Sequence, residues 1–91
     1  MMGIWSNRAV ARRYLAEAEE AHGLDPRPTF ELSVEDASEA IRRNPADGNA
    51  RLARAFTLFG LGKAEAARGF DPDRRYRAAI EDCDAAVARN P

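Results

Sequence analysis

The strongest constraint on how this chain folds is an internal repeat. Residues Val34-Glu35-Asp36-Ala37-Ser38-Glu39-Ala40-Ile41-Arg42-Arg43-Asn44-Pro45 return 46 positions later as Ile80-Glu81-Asp82-Cys83-Asp84-Ala85-Ala86-Val87-Ala88-Arg89-Asn90-Pro91. At that offset 45 residue pairs align without a gap and 15 are identical, where composition alone accounts for about four. The identities reach beyond the tail to Arg8/Arg54, Ala9/Ala55, Leu15/Leu61, Gly23/Gly69, Asp25/Asp71 and Pro26/Pro72. A chain made of two copies of one unit, residues 1–45 and 46–91, is expected to form a single domain in which the two copies stack.

The unit reads as a pair of helices. Ser6 is a good N-cap, with Trp5 placed to staple onto Val10. The pattern then runs helical through Ala9, Val10, Tyr14, Ala18 and Ala21 to a stop at Gly23. Asp25-Pro26 restarts the chain, Asp as cap and Pro in the first turn, where its missing N–H is harmless. The second helix offers Phe30, Val34, Ala37 and Ile41 to the core and ends at Asn44-Pro45. In the second unit Asp47 caps a helix whose stretch Leu52–Leu61 is apolar on nearly every side, as expected of a helix covered from several directions. Arg51 and Arg54 keep one polar strip there. Gly60 and Gly62 each cost about 1 kcal/mol relative to Ala inside a helix, so a break is one alternative. Continuation through Lys63–Arg68 to Gly69 is the other, and the one adopted. Asp71-Pro72 opens the fourth helix, with Tyr76, Ile80, Cys83 and Val87 as its core face. Helices are expected near 6–22, 26–43, 47–68 and 72–90, with no strand, so the fold class is all-α: two antiparallel helical hairpins.

Composition narrows the function classes. Fourteen basic and 15 acidic residues give a formal charge of −1, so no overall field draws the chain to nucleic acid or to anionic lipid. No apolar run reaches membrane-spanning length, and no signal-peptide core is visible. A single cysteine, Cys83, excludes an internal disulfide and points to a reducing, cytoplasmic setting. The 19 alanines favour helix and let helices approach closely. Carboxylates lack a partner base, and there is no phosphate loop or metal-ligand spacing, so neither an enzyme nor a cofactor is expected.

Trp5-Ser6-Asn7-Arg8-Ala9, the closing residues Ala40 and Pro45, and their counterparts Ala86 and Pro91 resemble the tetratricopeptide repeat (TPR). Ser-Asn-Arg-Ala followed by an Ile/Val-Glu-Asp-Ala/Cys tail is similar in particular to the repeats of co-chaperone adaptors. The resemblance covers nearly the whole chain and implies a short superhelix that binds a peptide or protein segment along its first helices. The period of 46 departs from the family's usual 34 or so, with the excess in Glu17–Pro28 and Lys63–Arg74, which implies helices lengthened around a displaced turn. Members that grip a peptide's terminal carboxylate use an Asn, matched by Asn7, together with basic residues where this chain has Asn49 and Ala53.

On this register the groove residues are Asn7, Val10, Arg13, Glu17, Asn49, Leu52, Phe56, Phe59 and Lys63. Several have a plainer alternative: Asn7 as a first-turn polar residue, Arg13, Glu17 and Lys63 as a solvated face. Phe56 and Phe59 are expected more readily as core between helices than as groove lining. His22 beside Gly23 fits a helix end, and Cys83, paired by repeat with Ala37, is expected as a buried small hydrophobe. The functional expectation is a protein–protein interaction module with a peptide or protein partner. The alternative is a structural building block, or part of a longer array, since two repeats are few and Pro91 stands where a next helix would begin. Self-association, most simply a two-fold homodimer through an outer face carrying Ala78, Ala85 and Ala88, is expected in that case.

Overall fold

The computed structural model describes residues 3–89, and among these the regular structure is entirely helical. Helices α1 (Ile4–Ala21), α2 (Arg27–Arg43), α3 (Gly48–Ala67) and α4 (Asp73–Arg89) follow in order. The C-terminal ends of α1 and α3, and both ends of α2 and α4, differ by the repeat offset of 46. The closing Asn90-Pro91 lies outside the described residues.

The helix ends have local causes. Gly23 and Gly69 take φ of 78° and 87°, a left-handed conformation that glycine adopts without steric cost. Leu24 N–H then donates to the Glu19 carbonyl at 2.8 Å, and Phe70 N–H to that of Glu65 at 3.0 Å. Both are Schellman closures of the outgoing helix. Asp25 and Asp71 accept from the amides two residues on, Arg27 and Asp73, at 3.1 and 2.9 Å. Each carboxylate stands one residue further from its helix than expected, and Pro26 takes the N-cap position of α2. The Arg27 side chain also grips Asp25 and holds its carboxyl well below the usual range. Asp47 caps α3 as expected, accepting from Asn49 and Ala50.

Contacts between helices fix their directions. Arg8 reaches Asp36, the Ala9 carbonyl accepts from Ser33, and Ala16 clusters with Phe30. Residue numbers fall along α2 as they rise along α1, so the pair is an antiparallel hairpin. Arg54 to Asp82 and Gly62 against Tyr76 give α3 and α4 the same sense. The hairpins join chiefly through α2 and α3: Ser33 Oγ meets Thr57 Oγ1 at 2.9 Å, and Arg54 Nη1 donates to Ser38 Oγ at 3.1 Å.

One ion pair recurs in both units at the same separation of 28 residues. Asp36, almost fully buried, accepts from Arg8 Nε and Nη2 at 3.0 and 2.8 Å, and from Arg12 Nη1 at 2.8 Å. Asp82 accepts from Arg54 Nε and Nη2, both at 2.7 Å. These two-pronged contacts give each buried carboxylate the charge-assisted partners that burial demands.

Helix α3 runs unbroken through Gly60 and Gly62, and crowding accounts for glycine at both positions. A methyl at Gly60 would stand 2.7 Å from the Phe30 ring, and one at Gly62 would stand 2.6 Å from the Tyr76 ring. Phe30 and Tyr76 are repeat counterparts, so each unit's aromatic is received by a small residue of α3.

Several expectations are corrected. Gly3, at φ 94°, holds the N-cap of α1, and its carbonyl accepts from Asn7 N–H at 2.7 Å. Trp5 and Ser6 therefore lie inside the helix, so Ser6 is no cap and Trp5 no staple. The Trp5 ring instead sits between the Arg8 and Arg43 guanidinium groups. On α1 the buried residues are Ala9 and Ala16, while Tyr14, Ala18 and Ala21 are exposed, because α2 and α3 both stand on one side of it. On α4 the buried residues are Ala79, Asp82 and Ala86. Ile80, Cys83 and Val87 face outward, contrary to expectation. Of their counterparts, Ala37 is buried and Val34 and Ile41 are half-buried because α3 lies over α2, and no helix among the described residues lies over the matching face of α4. Ala78 packs against the Ala55–Leu58–Ala79 cluster rather than on an outer face.

Two outcomes follow from this packing. Gly60→Ala should destabilise the domain by about 1–3 kcal/mol despite the better helix propensity, because the enclosed Phe30 ring cannot yield. Gly62→Ala should cost less, since the partly exposed Tyr76 can swing away and the Arg75 Cβ, 3.2 Å from the added methyl, need give only a few tenths of an ångström; chemical denaturation that ranks them the other way would contradict the packing. The Cys83 thiol of the dilute native protein should react with a thiol reagent about as fast as a free cysteine, and strong protection would show that α4 is turned differently.

Candidate binding groove

Helices α1 and α3 run side by side in the same direction, and their shared surface forms a concavity of about 340 Å³. Arg13, Glu17 and Glu20 line it from α1. Phe56, Phe59 and Lys63 line it from α3, with Gly60 and the edge of Phe30 beneath. The spacing 13-17-20 and 56-59-63 puts each set on one face of its helix.

The two phenylalanines are not core. Phe56 is 55% exposed and Phe59 is 52% exposed, with Leu52 continuing the apolar stripe along α3. The core of α3 is made instead by Ala53, Ala55, Leu58, Leu61 and Ala64. So α3 is covered on the sides facing α2 and α4 and is open toward the groove. Phe59 leans on Tyr76 of α4, with ring centroids 5.4 Å apart.

Cations frame the aromatic rings. The Arg13 guanidinium lies 4.8 Å from the Tyr14 ring centroid and 5.4 Å from that of Phe56, and Lys63 Nζ lies 5.8 Å from that of Phe59. Such stacking orients the guanidinium while leaving N–H donors for a ligand. Arg13 Nε is shielded and has no hydrogen-bond partner among the described residues. The contact from Arg13 Nη1 to Glu17, at 3.4 Å, is long. Glu17 and Glu20 balance the two cations, so the groove combines apolar rings with charges of both signs.

Of the residues singled out in the sequence, the fold brings Arg13, Glu17, Phe56, Phe59 and Lys63 together in the concavity. Asn7, Asn49 and Leu52 are exposed and Val10 is half-buried, and none of the four lines it. Glu20, Phe30 and Gly60 belong to it and were missed. Glu20 shares the Glu17 face by spacing, and Gly60 is the small residue that opens the wall beside Phe59; both signals were present in the sequence.

Among the described residues no group of three His, Cys, Asp or Glu could hold a metal ion. His22 sits at the end of α1 with Nδ1 2.8 Å from the Ala18 carbonyl oxygen. Among the described residues no helix is long and apolar enough to cross a membrane. The arrangement suits non-covalent capture of an extended segment: rings for its apolar side chains, Arg13 and Lys63 for carbonyls or carboxylates. No protein-family model, no curated protein and no solved structure matches the chain.

Proposed function

We propose that the chain is a protein–protein interaction module, a scaffold of the TPR type in which two stacked hairpins begin a superhelix. On this reading a partner's extended segment lies in the groove between α1 and α3. The exposure of Phe56 and Phe59 carries the proposal. Leaving two large rings half in water forgoes about 1 kcal/mol of burial for each, a cost that a bound apolar side chain would offset. The reading of the same pair as core loses its support with that exposure. The outward stripe Ile80–Cys83–Val87 favours a second reading, a building block that self-associates.

Peptides selected from a displayed library against the native domain test the groove. Their affinity should fall about tenfold or more on Phe59→Ala and less on Asn7→Ala, with circular dichroism showing that both variants fold. Selected peptides indifferent to Phe56 and Phe59 would overturn the reading. Acidic chaperone-tail peptides should bind poorly, because Asn49 and the buried Ala53 stand where a carboxylate grip needs cations. Calorimetry showing tight binding that is lost when the peptide's C-terminus is amidated would contradict this.

A further inference from the structure

The two ends of the molecule carry the two halves of its own internal junction. Between the hairpins, Val34 of α2 packs on Ala55 and Leu58 of α3, and along the same helix Ala37 is buried and Ile41 half-buried. On α4 the same positions are Ile80, Cys83 and Val87, and all three are exposed, Ile80 at 59% and Val87 at 65%. On the other side of the junction, α3 meets the first hairpin through a stripe including Ala50, Thr57, Leu61 and Ala64, all nearly or wholly buried. On α1 the same stripe is Ile4, Ala11, Leu15 and Ala18, and all four are exposed. Leu15 and Leu61 are the same residue at the same place in the repeat, 54% exposed in one unit and 1% in the other. Apolar side chains thus occupy both open faces at the positions that are covered inside the chain.

The polar contacts are complementary as well. Inside the chain Arg54 holds Asp82 through Nε and Nη2 and extends Nη1 across the junction to Ser38. Arg8 holds Asp36 with the same two nitrogens, and among the described residues its Nη1 makes no hydrogen bond. The counterpart of Ser38 is Asp84, an exposed carboxylate. The hydroxyl pair Ser33–Thr57 corresponds to Ala79, which is already buried against α3, and the exposed Ala11, so this position brings no unpaired polar side chain to the open faces. Some positions depart from the pattern: Arg12 and Asn7 stand where α3 has the buried Leu58 and Ala53. Tyr14 replaces the Gly60 that admits Phe30, so that end of a second junction must be wider than the first.

From this correspondence we infer that the chain assembles head to tail, with α1 of one copy packed on α4 of the next as α3 packs on α2. Ile80, Cys83 and Val87 receive Ile4, Ala11 and Leu15, and Arg8 of the incoming copy pairs with Asp84. The contact is heterologous, so each addition leaves both faces open again and the product is a growing stack or a closed ring. It uses neither Phe56 nor Phe59 and does not rest on the groove.

Single charges at the two faces separate the outcomes. Leu15→Glu blocks the α1 face and Val87→Glu blocks the α4 face; both sites are exposed, and circular dichroism should report native helix in each. By light scattering, wild-type mass should rise with concentration past that of two chains, and each variant alone should remain a single chain. Mixed in equal amounts, the variants should join through their remaining faces into a pair and stop there. Cys83 labelling should slow in that mixture only on the Leu15→Glu chain, whose α4 face is used. A wild-type chain that stays single at every concentration would overturn the inference and leave the faces to a further repeat or another protein. A Leu15→Glu chain that pairs with itself, unaffected by added Val87→Glu, would overturn it in favour of a two-fold contact.

Discussion

The arrangement of the four helices depends on one guanidinium. Arg54 donates two hydrogen bonds to Asp82 on α4 and a third to Ser38 on α2, so three helices meet at its planar fork. A lysine could supply the charge but not three donors in fixed directions. Asp82 is buried and depends on that partner, and the bonding raises the affinity of Arg54 for its own proton. In the first unit Arg8 grips Asp36 in the same way, but Arg12 supplies the third donor and no later helix is engaged. The same motif therefore closes a hairpin in one unit and also joins two hairpins in the other.

Much of this was legible in the sequence. The offset of 46 located all four helices, and the glycine stops and the Asp47 cap fell where their chemistry required. The ion pairs were legible in principle, since Arg8/Arg54 and Asp36/Asp82 each repeat and keep one separation. What periodicity could not supply was which face of a helix has a neighbour. Ile80, Cys83 and Val87 carry the same pattern as Val34, Ala37 and Ile41, yet one stripe is covered and the other is not. Burial here is decided by position in the stack, which residue type does not record. Phe56 and Phe59 were left between groove and core for a related reason: α3 is apolar all round, but its neighbours leave one side open.

Small residues set how closely the helices meet. Gly60 and Gly62 sit beneath the Phe30 and Tyr76 rings, and Ala9, Ala16, Ala37 and Ala64 are wholly buried. With few large side chains in the interior, close backbone approach, paired buried hydroxyls and ion pairs accompany the hydrophobic contacts between helices. That economy of core volume suits a chain of 91 residues, whose surface is large relative to its interior.

Helix α3 touches each of the other three helices, and this has a consequence for how the domain comes apart. In a long repeat array a terminal hairpin can fray while the rest persists. Here loss of α3 would strip α4 of its hairpin partner and uncover α2 at once, so the two units are expected to melt together. The open side of that same helix carries Phe56 and Phe59. A ligand held there grips the segment on which all other contacts converge, and its binding energy adds to the stability of the whole domain rather than of one hairpin.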